Sequence, residues 1–222
     1  MSITATEIVE RALVLVDEMT PSITQAASTE TSLKEVGLEI LPEVARNLVK
    51  ELPYQLKRYL AKSGTLSEET LSGGELQTNY VKQKVAFVAP VDFWELVVVK
   101  MTVWAKPVTE YILIDSPEYA KQNNPFRRGG KQNPVVAISN SATGATRRIE
   151  CFSIDSGDAR TLSTFQYISY DNVPNDSSNQ WPDELLDHTA KALAMELNTI
   201  KGRIDESAIR GQEVENEITQ HE

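Results

Sequence analysis

The chain has 222 residues, 41% of them hydrophobic, and a formal net charge of −10. That apolar content supports a packed core and excludes wholesale disorder, and the acidic balance argues against a protein that grips nucleic acid through a basic face. No apolar run approaches the roughly 20 residues of a membrane span, and Met1-Ser2-Ile3-Thr4-Ala5-Thr6-Glu7 has no basic n-region, so neither a membrane helix nor a secretory signal is expected.

Thr4-Ala5-Thr6-Glu7 is a capping-box pattern, a hydroxyl residue followed three later by Glu. Ile8, Ala12, Leu15, Val16 and Met19 follow at helical spacing and predict a helix over 6–19. The Ser/Thr-rich stretch to Thr31 reads as a loop. Ser32-Leu33-Lys34-Glu35 is a second capping box. Behind it Val36, Ile40, Leu41, Val44, Ala45, Leu48, Val49 and Leu52 recur at three- and four-residue steps, a second helix. Pro42 should kink or restart it, and Pro53 limits it. Tyr54 and Tyr59 are expected to pack beneath it, with a short helical continuation through Leu60. Residues 63–78 contain Ser63-Gly64 and Ser72-Gly73-Gly74 and read as an exposed linker.

The longest apolar run then spans 87–104 and is rich in β-branched and aromatic residues, so it reads as strand. Pro90 donates no ladder hydrogen bond and divides it into a short strand, a turn at Pro90-Val91-Asp92 and a strand over 93–104. Period-two alternation puts Phe93, Val97, Val99, Met101 and Val103 on one face and Trp94, Leu96 and Val98 on the other. A strand apolar on both faces is covered on both sides. Further strands are predicted over 108–114, 135–139, 147–154 and 164–170, with a short helical turn from Asp115-Ser116-Pro117-Glu118 and a hairpin-type loop at 140–144. A last helix opens at Pro182, carries the stripe Leu186, Ala190, Leu193, Leu197 and Ile200, which reads as core, and ends on the Lys201-Gly202 C-cap pattern.

The fold class is therefore α+β. A helical core takes residues 1–62 and 181–202, a β-rich insertion takes 79–172, and 203–222 form a C-terminal interaction tail. The tail's apolar residues, Ile204, Ala208, Ile209, Val214 and Ile218, are too few to fold it alone, which makes it a mobile tail or a helix that needs a partner.

Motifs for chemistry are absent: no Gly-x-Ser-x-Gly, no Walker loop, no Gly-x-Gly-x-x-Gly and no His-Glu-x-x-His. Cys151 reads as a small buried hydrophobe, and with His188 and His221 it makes no convincing zinc site. Asp155 and Asp158 read as turn formers, and His188, beside Asp187, as a solvated helix histidine. No enzyme activity, cofactor or metal is expected. One stretch departs from the average: between Tyr119 and Ile149 stand Lys121, Arg127, Arg128, Lys131, Arg147 and Arg148, with no acid. It is a solvated loop surface, or a docking patch for an acidic partner such as another copy of this chain. Phosphate contact is a third reading.

The segment Phe87-Val88-Ala89-Pro90-Val91-Asp92-Phe93-Trp94-Glu95-Leu96-Val97-Val98-Val99 resembles the Pro-x-Asp-Phe segment of tailed-phage head–tail adaptor proteins. Leu52-Pro53-Tyr54 is similar to the Pro-aromatic pair that ends their first helices. Ala190-Lys191-Ala192-Leu193-Ala194-Met195-Glu196-Leu197 is similar to their closing helix. The order of elements agrees over most of residues 1–200, in the manner of ring proteins of podovirus-like phages, including the crAss-like group. The resemblance implies a virion protein at the head–tail interface: a dodecameric ring bound beneath the portal protein and followed by a downstream tail or second ring protein. DNA would pass through its lumen without sequence-specific binding, and no membrane is involved. The six cations above would then make intersubunit or portal contacts, and the tail residues Ile204, Ala208, Ile209, Val214 and Ile218 would dock on the portal. The alternative reading is a β-rich protein- or carbohydrate-binding module of a virion or cell-surface assembly.

Overall fold

A computed structural model describes residues 2–19, 27–69, 82–122, 124, 127–140, 147–155, 157–174 and 181–219; side chains of 2, 17–19, 27–32, 69, 82–83 and 203–219 lie outside that description. In chain order the elements are β1 (Ser2–Ile3), α1 (Ala5–Met19), α2 (Ala27–Glu51), α3 (Tyr54–Lys57), β2 (Lys62–Ser63), β3 (Ser67–Glu69), β4 (Lys82–Val88) and β5 (Phe93–Met101). There follow β6 (Ile112–Leu113), α4 (Pro117–Gln122), β7 (Val136–Asn140), β8 (Arg147–Asp155), β9 (Leu162–Ser169), β10 (Trp181–Pro182), a 3₁₀ turn (Asp183–Leu185) and α5 (Leu186–Thr219). The fold is α+β. It divides into two compact units, Met1–Leu52 with Val173–Glu222 and Pro53–Asn172.

The first unit joins both ends of the sequence. The capping box closes α1: the Glu7 amide donates to the Thr4 hydroxyl at 3.3 Å, and the Thr4 amide to the Glu7 carboxylate at 2.7 Å. The Thr4 amide first, and the Thr4 hydroxyl donating to the same carboxylate at 2.9 Å next, hold the Glu7 carboxyl below its ordinary range. Ile8, Val9, Ala12 and Val16 of α1 are buried with Leu41, Ala45 and Val49 of α2 and Ala190, Leu193, Ala194 and Leu197 of α5. Gly37 sits where the three helices meet, its missing Cβ only 3.0 Å from a Val9 methyl and 3.6 Å from a Leu197 methyl. Trp181 is fully buried at the start of the last segment, its indole N–H given to Thr189 at 2.9 Å.

Several boundaries differ from expectation. α2 begins at Ala27, so Ser32 lies inside it rather than at its start, and the helix continues through Pro42. α5 does not stop at Gly202 but continues to Thr219. Tyr54 and Tyr59 are exposed rather than packed. Residues 53–62 belong with the strands, not with the helical core, and the expected linker contributes β2 and β3. In place of a strand over 108–114 there is one bridge, Val99 to Val108, and the two-residue β6. Residues 70–78 of the linker and 141–144 of the hairpin-type loop lie outside the described residues.

The second unit is two sheets over one core. One sheet has the order β2-β9-β5 and the other β3-β4-β8-β7-β6, antiparallel except for the β6–β7 pair. Phe93, Leu96, Val99 and Met101 of β5 pack with Val85, Phe87, Ile149, Cys151, Ile154, Phe165 and Tyr167. The strict alternation expected for β5 fails. Its register slips at Trp94 and again at Val97, so core positions advance by three, and Leu96 joins Phe93 on the core face while Val97 leaves it. Every residue of β5 is nonetheless buried apart from Trp94 and Lys100, which are half-buried, as a strand covered on both faces requires.

β8 carries a matching irregularity. Two of its residues, Phe152 and Ser153, oppose Lys84 of β4, and Ser153 takes φ 75°. The bulge lets Cys151 and Ile154 both face the core, while the Ser153 carbonyl accepts the Trp104 indole N–H at 3.2 Å. The Ser153 hydroxyl is buried without a hydrogen-bond partner among the described residues. Left-handed backbone costs a non-glycine residue about 1–2 kcal/mol. Ser153→Gly is therefore expected to leave stability unchanged or raise it by up to about 1 kcal/mol, while Ser153→Val lowers it by more than about 2 kcal/mol. Urea unfolding of the two variants checks the opposite signs.

Candidate functional site

The six cations do not form one patch. Arg148 is buried in β8, with a guanidinium nitrogen 2.7 Å from Glu150 and another given to Ser139. Arg128 is buried as well and donates to the Gln122 carbonyl. Lys131 bridges Asp155 and Asp158 at 2.8 Å each, which raises its own pKa and, with the Asp155 amide, lowers that of Asp158. Lys121 pairs with Glu118 one turn away on α4. Arg127 is exposed. Arg147 is exposed at the start of β8, donates to the Trp94 carbonyl at 3.0 Å and lies 6.0 Å from both the Phe93 and Trp94 rings. Neighbours in sequence are dispersed because successive strand residues point to opposite faces.

Arg147 belongs to a built surface that the composition did not disclose. The turn between β4 and β5 projects Val91 at 98% exposure. Asp92 braces it. Its carboxylate pairs with Lys62 of β2 and accepts from Ser169 at 2.7 Å and Tyr167 at 2.9 Å, while its carbonyl accepts the Tyr170 amide at 2.7 Å. The Lys62 bond first, and Ser169 next, hold this carboxyl down at about 2. Tyr170 is 45% exposed and sets its ring edge against Trp94 at 5.2 Å. An apolar tip is thus held rigidly in water beside an aromatic pair and a guanidinium. The turn at Pro90-Val91-Asp92 was legible in the sequence; its bracing by residues some 75 positions later was not.

In the first unit, α2 and α5 leave a groove of about 320 Å³. Its floor is Ile40, Val44, Leu48, Ala192 and Ile200, and its rim carries Glu43, Asn47, Glu51 and Glu196, with no cation in the lining. The same helices supplied the core stripe read from the sequence. The groove was missed because Ile40, Leu48 and Ile200 fit a core stripe equally well, and only packing shows them half-buried. The tail residues Ile204, Ala208, Ile209, Val214 and Ile218 lie on the helical extension of α5, and their side chains lie outside the described residues.

Among the described residues no group of His, Cys, Asp and Glu could hold a metal ion, and no helix is long and apolar enough to cross a membrane. Burial pushes the Cys151 thiol pKa up, which suppresses the thiolate. His188 is exposed. Glu150 is fully buried, and burial by itself would raise its pKa. Lys84 at 3.4 Å, Tyr119 at 2.8 Å, Ser139 at 2.9 Å and Arg148 at 2.7 Å together hold it below the ordinary range. These partners come from β4, α4, β7 and β8, so Glu150 latches α4 to the sheet. A second such group, Glu95, joins Lys57 of α3 at 2.7 Å and Tyr111 at 3.1 Å, and burial followed by that carboxylate pushes Tyr111 up to about 12. No protein-family model matches the chain, and no curated protein matches it.

Two outcomes follow from these carboxylates. Glu150→Ala leaves Arg148 and Lys84 without their counter-charge and is expected to cost about 3–5 kcal/mol, while Tyr119→Phe costs about 1.5–3 kcal/mol, both read from denaturant midpoints. Asp92 and Glu150 titrate lower in the folded protein than in the unfolded chain. Their stabilisation is complete at neutral pH and is lost with acidification, that of Asp92 as pH falls from about 4 toward 2 and that of Glu150 below the ordinary carboxylate range. The melting temperature should drop steeply through that window, and less steeply in Asp92→Asn.

Proposed function

We propose that this protein is a structural subunit of a virion connector, a ring below the portal that extends the DNA channel toward the tail of a bacteriophage. The observation that carries the reading is the arrangement of the chain. Helices from both ends of the sequence make one unit and the strands between them make another, the order implied by the resemblance to head–tail adaptors. The net charge of −10 supports it, because an acidic lumen lets DNA slide rather than stick. Its partners are further copies of itself, the portal protein, and a downstream tail or second ring protein. Its place is the head–tail interface of the virion, after assembly in the host cytoplasm.

The α5 extension is the natural arm for the portal. A helix of 34 residues is about 51 Å long, against about 38 Å for the 25 residues of α2. Deleting residues 203–222 is expected to leave the thermal midpoint nearly unchanged and to abolish portal binding, checked by calorimetry and by co-sedimentation with a purified portal. Among the six cations Arg127 is the one to reverse, since Arg128 is buried. Arg127→Glu should weaken portal or intersubunit assembly more at low salt than at high salt, because screening shortens the reach of exposed charges to about 8–10 Å.

One feature favours a binding module instead. In the second unit a groove of about 370 Å³ is lined by Thr65, Ser163, Thr164, Phe87, Phe165 and the Arg160–Glu68 pair, a polar and aromatic mixture suited to a sugar. Ring particles in negative-stain micrographs, alone or on the portal, support the connector. A monomer that saturates with a glycan and never joins a portal supports the module.

A further inference from the structure

We propose that the braced turn of one copy docks in the acidic groove of the next, so that subunits join head to tail. The inference rests on the ring reading above and names its contact.

The two surfaces are complementary in three respects. The tip is apolar and exposed, with Val91 at 98% and Tyr170 beside it at 45%. The groove between α2 and α5 has an apolar floor and a volume of about 320 Å³. Burying an exposed valine side chain is favourable, and the turn that carries it is already held in place. The charges also match. Lys62 is paired with Asp92, so Arg147 is the cation beside the aromatic pair, with the exposed Asp171 following Tyr170. The groove presents Glu43, Glu51 and Glu196 and no cation. Finally, the tip is preorganised. Three side-chain bonds to the Asp92 carboxylate and the Tyr170 amide on its carbonyl fix the turn before any partner arrives, which lowers the ordering cost of association.

The chain's own C-terminal segment is a poor occupant of this groove. Residues 203–222 hold six acids against two arginines, and like charge against the three glutamates opposes docking. A tip and a groove on different surfaces make a heterologous contact, which generates a closed ring or an open filament rather than a two-fold dimer. One such contact is small beside the 1,200–2,000 Å² typical of stable pairs, so association of free copies is weak and ring closure adds stability through effective concentration.

The test uses two variants with changes confined to exposed side chains, Val91→Asp and the double variant Glu43→Lys/Glu196→Lys. Circular dichroism and thermal melting establish that both fold as the parent chain does. Sedimentation velocity across a wide concentration range then reads assembly. The parent chain is expected to form higher oligomers with rising concentration, and each variant alone is expected to self-associate at least tenfold more weakly. Mixed, the variants supply one intact groove and one intact tip, so a one-to-one complex that grows no further is expected. Parent oligomers together with undiminished assembly of both variants overturn the tip–groove contact and leave the ring reading standing. Variants that lose assembly but form no mixed pair also overturn it. A parent chain that stays monomeric at every concentration overturns this contact, and if it also fails to assemble on the portal the ring reading falls with it.

Discussion

The Asp92 carboxylate locks together three parts of the chain at the point where the β2-β9-β5 sheet brings them side by side. It sits in the turn between β4 and β5, yet its partners come from β2 and from the end of β9. A carboxylate accepts several hydrogen bonds at once, and accepting them in the charged form is what depresses its pKa. The bracing also places the first residues of β5. Phe93, immediately after the turn, stacks on Tyr167 at 5.8 Å, and Tyr167 on Phe165 at 5.3 Å, so the aromatic ladder of the core begins at the same residue pair that holds the turn.

The sandwich resolves a conflict in its sequence by bulging. β5 is apolar almost throughout, and a perfect period of two would send half of those residues away from the shared core. Slips at Trp94 and Val97 turn Leu96 inward and free Glu95 to meet Lys57 and Tyr111. On β8 the bulge at Phe152 and Ser153 does the same for Ile154, at the cost of one strained residue and one unbonded hydroxyl. The outer face of that sheet is not apolar. Glu150 is buried there under Tyr119 of α4, and it tolerates burial because four partners replace the water it loses.

Charge in this protein separates by role. Inside the second unit Lys57, Lys62, Lys84, Lys131 and Arg148 neutralise buried or turn-forming acids. The excess negative charge is left on the helices. Such a division favours contacts between unlike surfaces of separate copies over contacts between like ones, which is the logic of the connector reading and of the tip–groove contact within it.

Periodicity by itself determined the α+β class, the existence of α1, α2 and α5, and the strands around the central turn. Helical spacing of Ile8, Ala12 and Val16, or of Ala190, Leu193 and Leu197, has one physical meaning, a buried stripe. The box at Thr4 and Glu7 needs only neighbours three apart to close. Ser32 and Glu35 offer the same pattern, yet α2 begins five residues earlier, and α5 likewise runs past the Gly202 signal. Tertiary structure alone decided which cations are free for a partner, which apolar helix residues line a groove rather than a core, and which face each residue of β5 presents. Those outcomes depend on register shifts and on partners dozens of residues away, and a shift of a single residue reverses a side chain's direction.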